Sequence, residues 1–195
     1  VAGADEAGRG CLAGPLVAAA VLIDYETLSR SDRRALGGLH DSKQMEPERR
    51  ERLYPAVLRA ASRVSLVVRC VRGIDGRGLH VTNVEALSAA LERLAPGAEA
   101  TCLVDGFSLR DCAVPHRAVV EGDGTSAAIA AASVIAKVSR DRYMRGAARR
   151  HPGWGFEEHV GYSTPEHRAA IDRIGISPLH RRSFDSVAYS QLEIV

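Results

Sequence analysis

The sequence predicts an α/β fold, one mixed sheet with helices on its faces, on three observations. Short runs that are continuously apolar or rich in valine alternate with segments of helical period along the chain. Strand and helix candidates follow one another in mixed order. One long helix candidate has a first half, AAIAAASVIA, that is small and apolar on every side, as a helix buried against a sheet must be. The 195 residues suit one domain with a small appendage. A composition of 46% hydrophobic and 26% charged residues is that of an ordinary globular protein.

The opening VAGAD reads as a short buried strand running into a glycine-rich turn, and Leu16 to Ile23 as a central strand. Residues 29–46 are polar and loop-like. Pro47 sits at a natural helix start, with Leu53, Val57, Ala60 and Ala61 at helical spacing and Pro55 weakening the first turns. Val64 to Val71 reads as a strand. Thr82 and Glu85 form a capping-box pattern, followed by the stripe Val84, Leu87, Leu91 and Leu94. Thr101 to Val104 predicts a strand ending at Asp105, and Ala118 to Val120 one ending at Glu121, Gly122 and Asp123. The long helix runs from Thr125 to about Arg149, its second half basic and exposed. Thr164 and Pro165 start a last helix that ends near Gly175. Residues 1–150 are expected to form the core, and 151–195 a short helical extension packed on it.

Net charge is only +2, yet Lys137, Arg140, Arg142, Arg145, Arg149 and Arg150 crowd one stretch and Arg181 and Arg182 another. Such patches attract phosphates, although a run of this kind is also the ordinary make-up of a solvated helix face. Cys11, Cys70, Cys102 and Cys112 are widely spaced without a C-x-x-C pair, which argues against zinc and against a disulfide framework. No signal peptide or membrane span is visible, and a cytoplasmic location is expected.

Three strand candidates end in acidic residues followed by glycine: Asp5 and Glu6 before Gly8, Asp105 before Gly106, Asp123 before Gly124. Singly these are ordinary turn residues. Gathered, they repel one another unless they share protons or bind cations. All-oxygen ligands suit Mg²⁺ or Mn²⁺, and two such ions are the usual device for cutting phosphodiesters. The segment Asp5-Glu6-Ala7-Gly8-Arg9-Gly10-Cys11-Leu12-Ala13-Gly14-Pro15 brings a glycine-rich backbone next to the first acids, without Walker or Rossmann spacing.

That segment, with the following apolar strand, resembles the opening of the ribonuclease HII family. Five further matches follow in family order. They are Asp41-Ser42-Lys43, Val104-Asp105-Gly106, Gly122-Asp123 with AAIAAASVIAKVSRD, His159-Val160-Gly161-Tyr162-Ser163-Thr164, and His180-Arg181-Arg182-Ser183-Phe184. The resemblance implies a ribonuclease H-like fold and two Mg²⁺ or Mn²⁺ ions on Asp5, Glu6, Asp105 and Asp123. It further implies ribose 2′-hydroxyl recognition by Gly8, Arg9 and Gly10, stacking of Tyr162 on a sugar, and phosphate contacts from Lys43, Lys137 and Arg182. Asp141 shares the motif run but lies about 27 Å beyond Asp123 along the long helix at 1.5 Å per residue, so it is not placed on the metals. Cys11, Phe107, Val160 and Ser163 depart from the residues common in the family.

The implied activity is hydrolysis of the phosphodiester 5′ to a ribonucleotide, in RNA/DNA hybrids or in duplex DNA with embedded ribonucleotides, by a monomer without membrane contact. A sliding-clamp partner is left open. The rivals are a DNA-only nuclease or recombinase of the same superfamily, against which the glycine loop and Tyr162 argue, and a non-catalytic hybrid-binding module. Trp154 reads as a loop anchor, and His167 and His180 as structural or phosphate-facing residues.

Overall fold

The structure is a computed structural model and describes residues 1–39 and 45–184. Asp41-Ser42-Lys43 and the C-terminal SVAYSQLEIV lie outside the described residues. In chain order the elements are β1 (Ala2–Ala7), β2 (Leu16–Leu22), α1 (Arg30–Leu36), α2 (Pro47–Ala60), β3 (Arg63–Arg69), α3 (Val71–Arg77) and α4 (Leu79–Leu94). Then come β4 (Cys102–Asp105), β5 (Arg117–Val119), α5 (Gly122–Thr125), α6 (Ala127–Ala148), α7 (Phe156–His159) and α8 (Pro165–Ile174).

The strands form one sheet in the order β3-β2-β1-β4-β5. β2 is antiparallel to both β1 and β3, whereas β4 runs parallel to β1 and β5 parallel to β4. β1, β4 and β5 therefore end at the same edge of the sheet, which is why their terminal acids can gather there.

Each face of the sheet is covered by a helix layer. Ala2, Ala4, Leu16, Ala18 and Ala20 pack against Leu87, Ala90, Leu91 and Leu94 of α4. Ala7, Val17, Ala19 and Val21 pack against Ala128, Ala131, Ala132 and Ile135 of α6 and Val57 of α2. The helix and strand approach so closely that a Cβ on Gly3 would stand 2.1 Å from the backbone of Ala128, so only glycine fits there.

Four expectations need correction. Residues 30–36 of the polar stretch form α1, started by Ser29, whose side chain accepts from the Asp32 amide. Only Leu36 of that helix is buried, so it has no periodicity to read. The predicted strand to Val71 stops at Arg69, and Val71 opens α3, where Gly73 and Gly76 dilute the helical signal. Thr82 is no cap, because α4 already starts at Leu79; its buried hydroxyl donates to the Gly73 carbonyl at 3.2 Å. The second half of α6 is not simply a solvated basic face, since Arg140 is fully buried and Lys137 nearly so.

Candidate active site

Alternation along β1 sends neighbouring side chains to opposite faces. Asp5 shares the α6 side with Gly3 and Ala7 and is buried, while Glu6 opens into a pocket of about 330 Å³. Glu6, Ala7, Gly8, Arg9, Gly10, Asp105, Lys137 and Tyr162 line that pocket. Asp5 and Asp123 are not in its lining. Asp123 stands not on the strand but in the first turn of α5, reached through Glu121 in the left-handed region. Asp105 is tied to the start of the same helix, its Oδ1 accepting from the Gly122 amide at 2.7 Å. Asp5 Oδ1 accepts from the Glu6 amide at 2.7 Å, and Arg9 reaches Glu6 at 3.5 Å.

Burial foremost, then the negative charge of Glu6 with that of Asp105 adding to it, pushes the Asp5 carboxyl up to about 8. Among the described residues no three Asp, Glu, His or Cys side chains stand arranged to enclose a metal ion. The donor chemistry nevertheless fits a hard divalent cation. The four groups are carboxylates, and a positive charge would relieve the repulsion that raises Asp5.

Lys137 is held in place by Asp141, one helical turn on, at 2.9 Å. Its ammonium lies 4.8 Å from the centre of the Tyr162 ring. Burial lowers the lysine and raises the tyrosine, the latter to about 12. Asp141 thus serves Lys137, and Lys137 faces the pocket. Arg182 does not line the pocket. It is exposed, and its amide, like that of Ser183, donates to Asp75 of α3. Lys43 lies outside the described residues.

The glycine loop is fixed by two buried arginines that composition alone assigned to basic patches. Arg140 of α6 donates to the carbonyls of Pro15, Val160 and Ala13 at 2.9–3.0 Å. Arg181 donates to those of Gly14, Pro15 and Arg9. A guanidinium offers five donors in a planar fork, and a glycine-rich loop has carbonyls that no ladder satisfies. Gly8 (φ +96°) is required where Arg140 passes, because a Cβ would meet its Nε at 2.2 Å. Val160, a β-branched residue at φ 45°, is held in that strained state with its carbonyl on Arg140. Cys11 pairs with Tyr162, and Ala13 with His180, as isolated antiparallel bridges. Trp154 anchors its loop as expected, donating from Nε1 to Gly175 and lying parallel to Phe156.

A mixed sheet with three co-directional strands, acids at the ends of two of them and a further acid in the short helix that follows the third, backed by a long buried helix, places the chain in the class of ribonuclease H-like nucleases. The comparisons agree and are narrower. The family model described as Ribonuclease HII matches residues 2–187. The chain is 44% identical over 187 residues to a ribonuclease HII of Geobacillus kaustophilus (strain HTA426), covering 96% of this chain and 68% of that protein. It is 47% identical over 189 residues to one of Nocardia farcinica (strain IFM 10152), covering 96% and 72%. The crystal structure of the ribonuclease H2 from Pyrococcus horikoshii OT3 superposes with a TM-score of 0.80 at 26% identity, covering 98% of this chain and 97% of that one. The chain belongs to the ribonuclease HII family and is a hydrolase of the ribonuclease type. Among the described residues no helix is long and apolar enough to cross a membrane.

Proposed function

We propose that this chain hydrolyses the phosphodiester 5′ to a ribonucleotide, in RNA/DNA hybrids and in duplex DNA carrying embedded ribonucleotides. The observation that carries this reading is one pocket in which two carboxylates, Glu6 and Asp105, face the Gly8–Gly10 backbone, Lys137 and the ring of Tyr162. Asp5, Glu6, Asp105 and Asp123 would hold Mg²⁺ or Mn²⁺, two ions in catalysis. When bound, such ions supply a water of lowered pKa and a counter-charge for the leaving oxygen.

The rest is the work of the chain itself. The Gly8–Arg9–Gly10 backbone offers polar groups to a ribose 2′-hydroxyl, the one feature that tells RNA from DNA at a given position. The Tyr162 ring stacks on the sugar of the following nucleotide, where a deoxyribose leaves it more room. Lys137, and outside the pocket lining Arg182, contact phosphates and so set register without reading bases. The basic charge of α6 is partly occupied already, since Arg142 and Arg145 both reach Glu51 of α2.

The test is cleavage of a duplex with one embedded ribonucleotide beside the sequence-matched all-DNA duplex, in Mg²⁺ and in EDTA. Incision 5′ to the ribonucleotide, lost in EDTA and absent on all-DNA, is expected. Equal cutting of both duplexes contradicts the proposed specificity, and full activity in EDTA contradicts the metal chemistry.

A further inference from the structure

Beneath Tyr162 lies a group of buried histidines that the proposed chemistry does not use. His167 Nδ1 is 2.8 Å from the Tyr162 carbonyl oxygen, and its Nε2 is 3.1 Å from His180 Nε2. The Ser177 amide donates to His180 Nδ1 at 2.8 Å. His159 stacks on His167 with ring centres 4.1 Å apart; its Nδ1 accepts from the Gly161 amide, and its Nε2 faces the Trp154 carbonyl at 2.6 Å. His167 and His180 are buried.

These contacts dictate the proton positions. A carbonyl oxygen can only accept, so His167 must donate from Nδ1, and in the neutral ring its Nε2 is then bare. His180 must therefore donate from Nε2, which leaves its Nδ1 free to accept, as the Ser177 amide requires. His159 follows independently, with its proton on Nε2. The tautomers form a single consistent set, and a second proton on His167 would face the N–H of His180. Burial foremost holds both His167 and His180 down to about 4, so the neutral set persists at physiological pH. Its output is the backbone at residues 161 and 162, next to strained Val160 and opposite Cys11.

We propose that His167, locked by His180 as the Nδ1–H tautomer, is the positioning residue that sets the Tyr162 peptide and so aims the ring at the pocket. This rests on the reading of Tyr162 as the residue that selects the sugar beyond the ribonucleotide. Tyr162 is tied on its amide side to the His159 carbonyl at 2.9 Å. Its carbonyl also accepts from the Thr164 amide at 2.9 Å, beside the Thr164 cap of α8. His167 supplies the side-chain bond, and its ring is fixed at both nitrogens. A small rotation of that peptide would move the tyrosine ring relative to Lys137 and the glycine loop.

Two substitutions separate positioning from packing. Asparagine places an amide N–H where Nδ1 stands, and glutamine places one where Nε2 stands. His167→Asn leaves the larger void and should melt lower than His167→Gln, yet it alone keeps the bond to Tyr162. The readout is the ratio of kcat/KM on a single embedded ribonucleotide to kcat/KM on a long hybrid, in wild type, both variants and Tyr162→Ala. His167→Asn is expected within about twofold of the wild-type ratio, and His167→Gln to fall about fivefold toward the Tyr162→Ala value, the low end of an aromatic stacking contribution. A ratio that follows melting temperature, with glutamine preserved and asparagine lost, overturns the proposal. An unchanged ratio in Tyr162→Ala itself overturns the reading of the tyrosine on which it stands. Should neither histidine variant fold, nitrogen-resolved NMR of the wild-type imidazoles decides: a proton on Nδ1 of His167 supports the lock, and one on Nε2 refutes it.

Discussion

The acidic edge of the sheet and the clamped loop beside it are built on opposite principles. Asp5, Glu6 and Asp105 are set by strand direction and alternation, and the Asp5 carboxyl is raised there by burial first and by the charges of Glu6 and Asp105 after it. The loop at residues 8–15 has no ladder of its own. It is held by Arg140, Arg181 and the backbone of residues 160–162 and 179–181. On the proposed function the first region gives up local stability for chemistry, and the second uses buried polar side chains to make a shape. Substitutions should therefore separate: changes at the acids remove turnover and spare the fold, and changes in the clamp lower stability and weaken discrimination of the ribonucleotide.

The largest effect is expected at the acids. Asp123→Asn should cut kcat by about a thousandfold or more, the order expected when metal-assisted chemistry is lost, with little change in urea midpoint. Asp141→Asn should behave in the opposite way. It breaks the buried pair with Lys137 and is expected to cost about 3–5 kcal/mol of stability while retaining much more turnover per folded molecule. Steady-state kinetics and urea titration on both variants give the comparison. A larger kinetic loss at Asp141 would show that the acid assignments are exchanged.

Next comes the clamp. Arg140→Met leaves the carbonyls of Ala13, Pro15 and Val160 buried without that donor, which should cost about 3–5 kcal/mol. Arg140→Lys should recover little of it, because a single ammonium cannot span three carbonyls in one plane. Equal stability of the lysine variant and wild type in urea would mean that the charge, not the fork, holds the loop.

A smaller effect is expected from acid. His167 and His180 titrate near 4 in the folded protein and near 6.5 when unfolded. The unfolded chain therefore takes up protons that the folded chain refuses. Their contribution is complete above about pH 6.5 and falls as pH drops toward about 4, on the order of a few kcal/mol in all. The raised Asp5 carboxyl acts in the opposite sense over the same range, so the histidine effect is read as the difference in urea midpoint between wild type and His167→Asn from pH 7.5 to 5. A difference that does not change with pH would show that His167 is not held neutral.

The two regions also differed in how far the sequence disclosed them. The strands, the long helix and the acids at the strand ends were legible because alternation, continuous apolar runs and acid–glycine pairs are local signals. The glycine loop was visible from its own composition beside the first acids, whereas a role for Tyr162 came only through motif resemblance; the pocket brings the two together. Arg140 and Arg181 were counted as surface charge, because composition does not record which carbonyls lack partners. A loop of three glycines and a proline between residues 8 and 15 was the available hint, since so many backbone carbonyls outside a ladder need donors from elsewhere. α1 and α3 escaped because one has a single buried residue and the other carries two glycines.

The separation of chemistry from recognition is tested most directly with Asp105→Asn, which can keep the oxygen that accepts from the Gly122 amide. Its dissociation constants in Mg²⁺ should be measured for a duplex with one embedded ribonucleotide and for the matched all-DNA duplex. The account predicts no incision and a retained preference for the ribonucleotide-bearing duplex. Equal binding of the two duplexes would contradict it, because discrimination would then depend on the acids and not on the clamped loop.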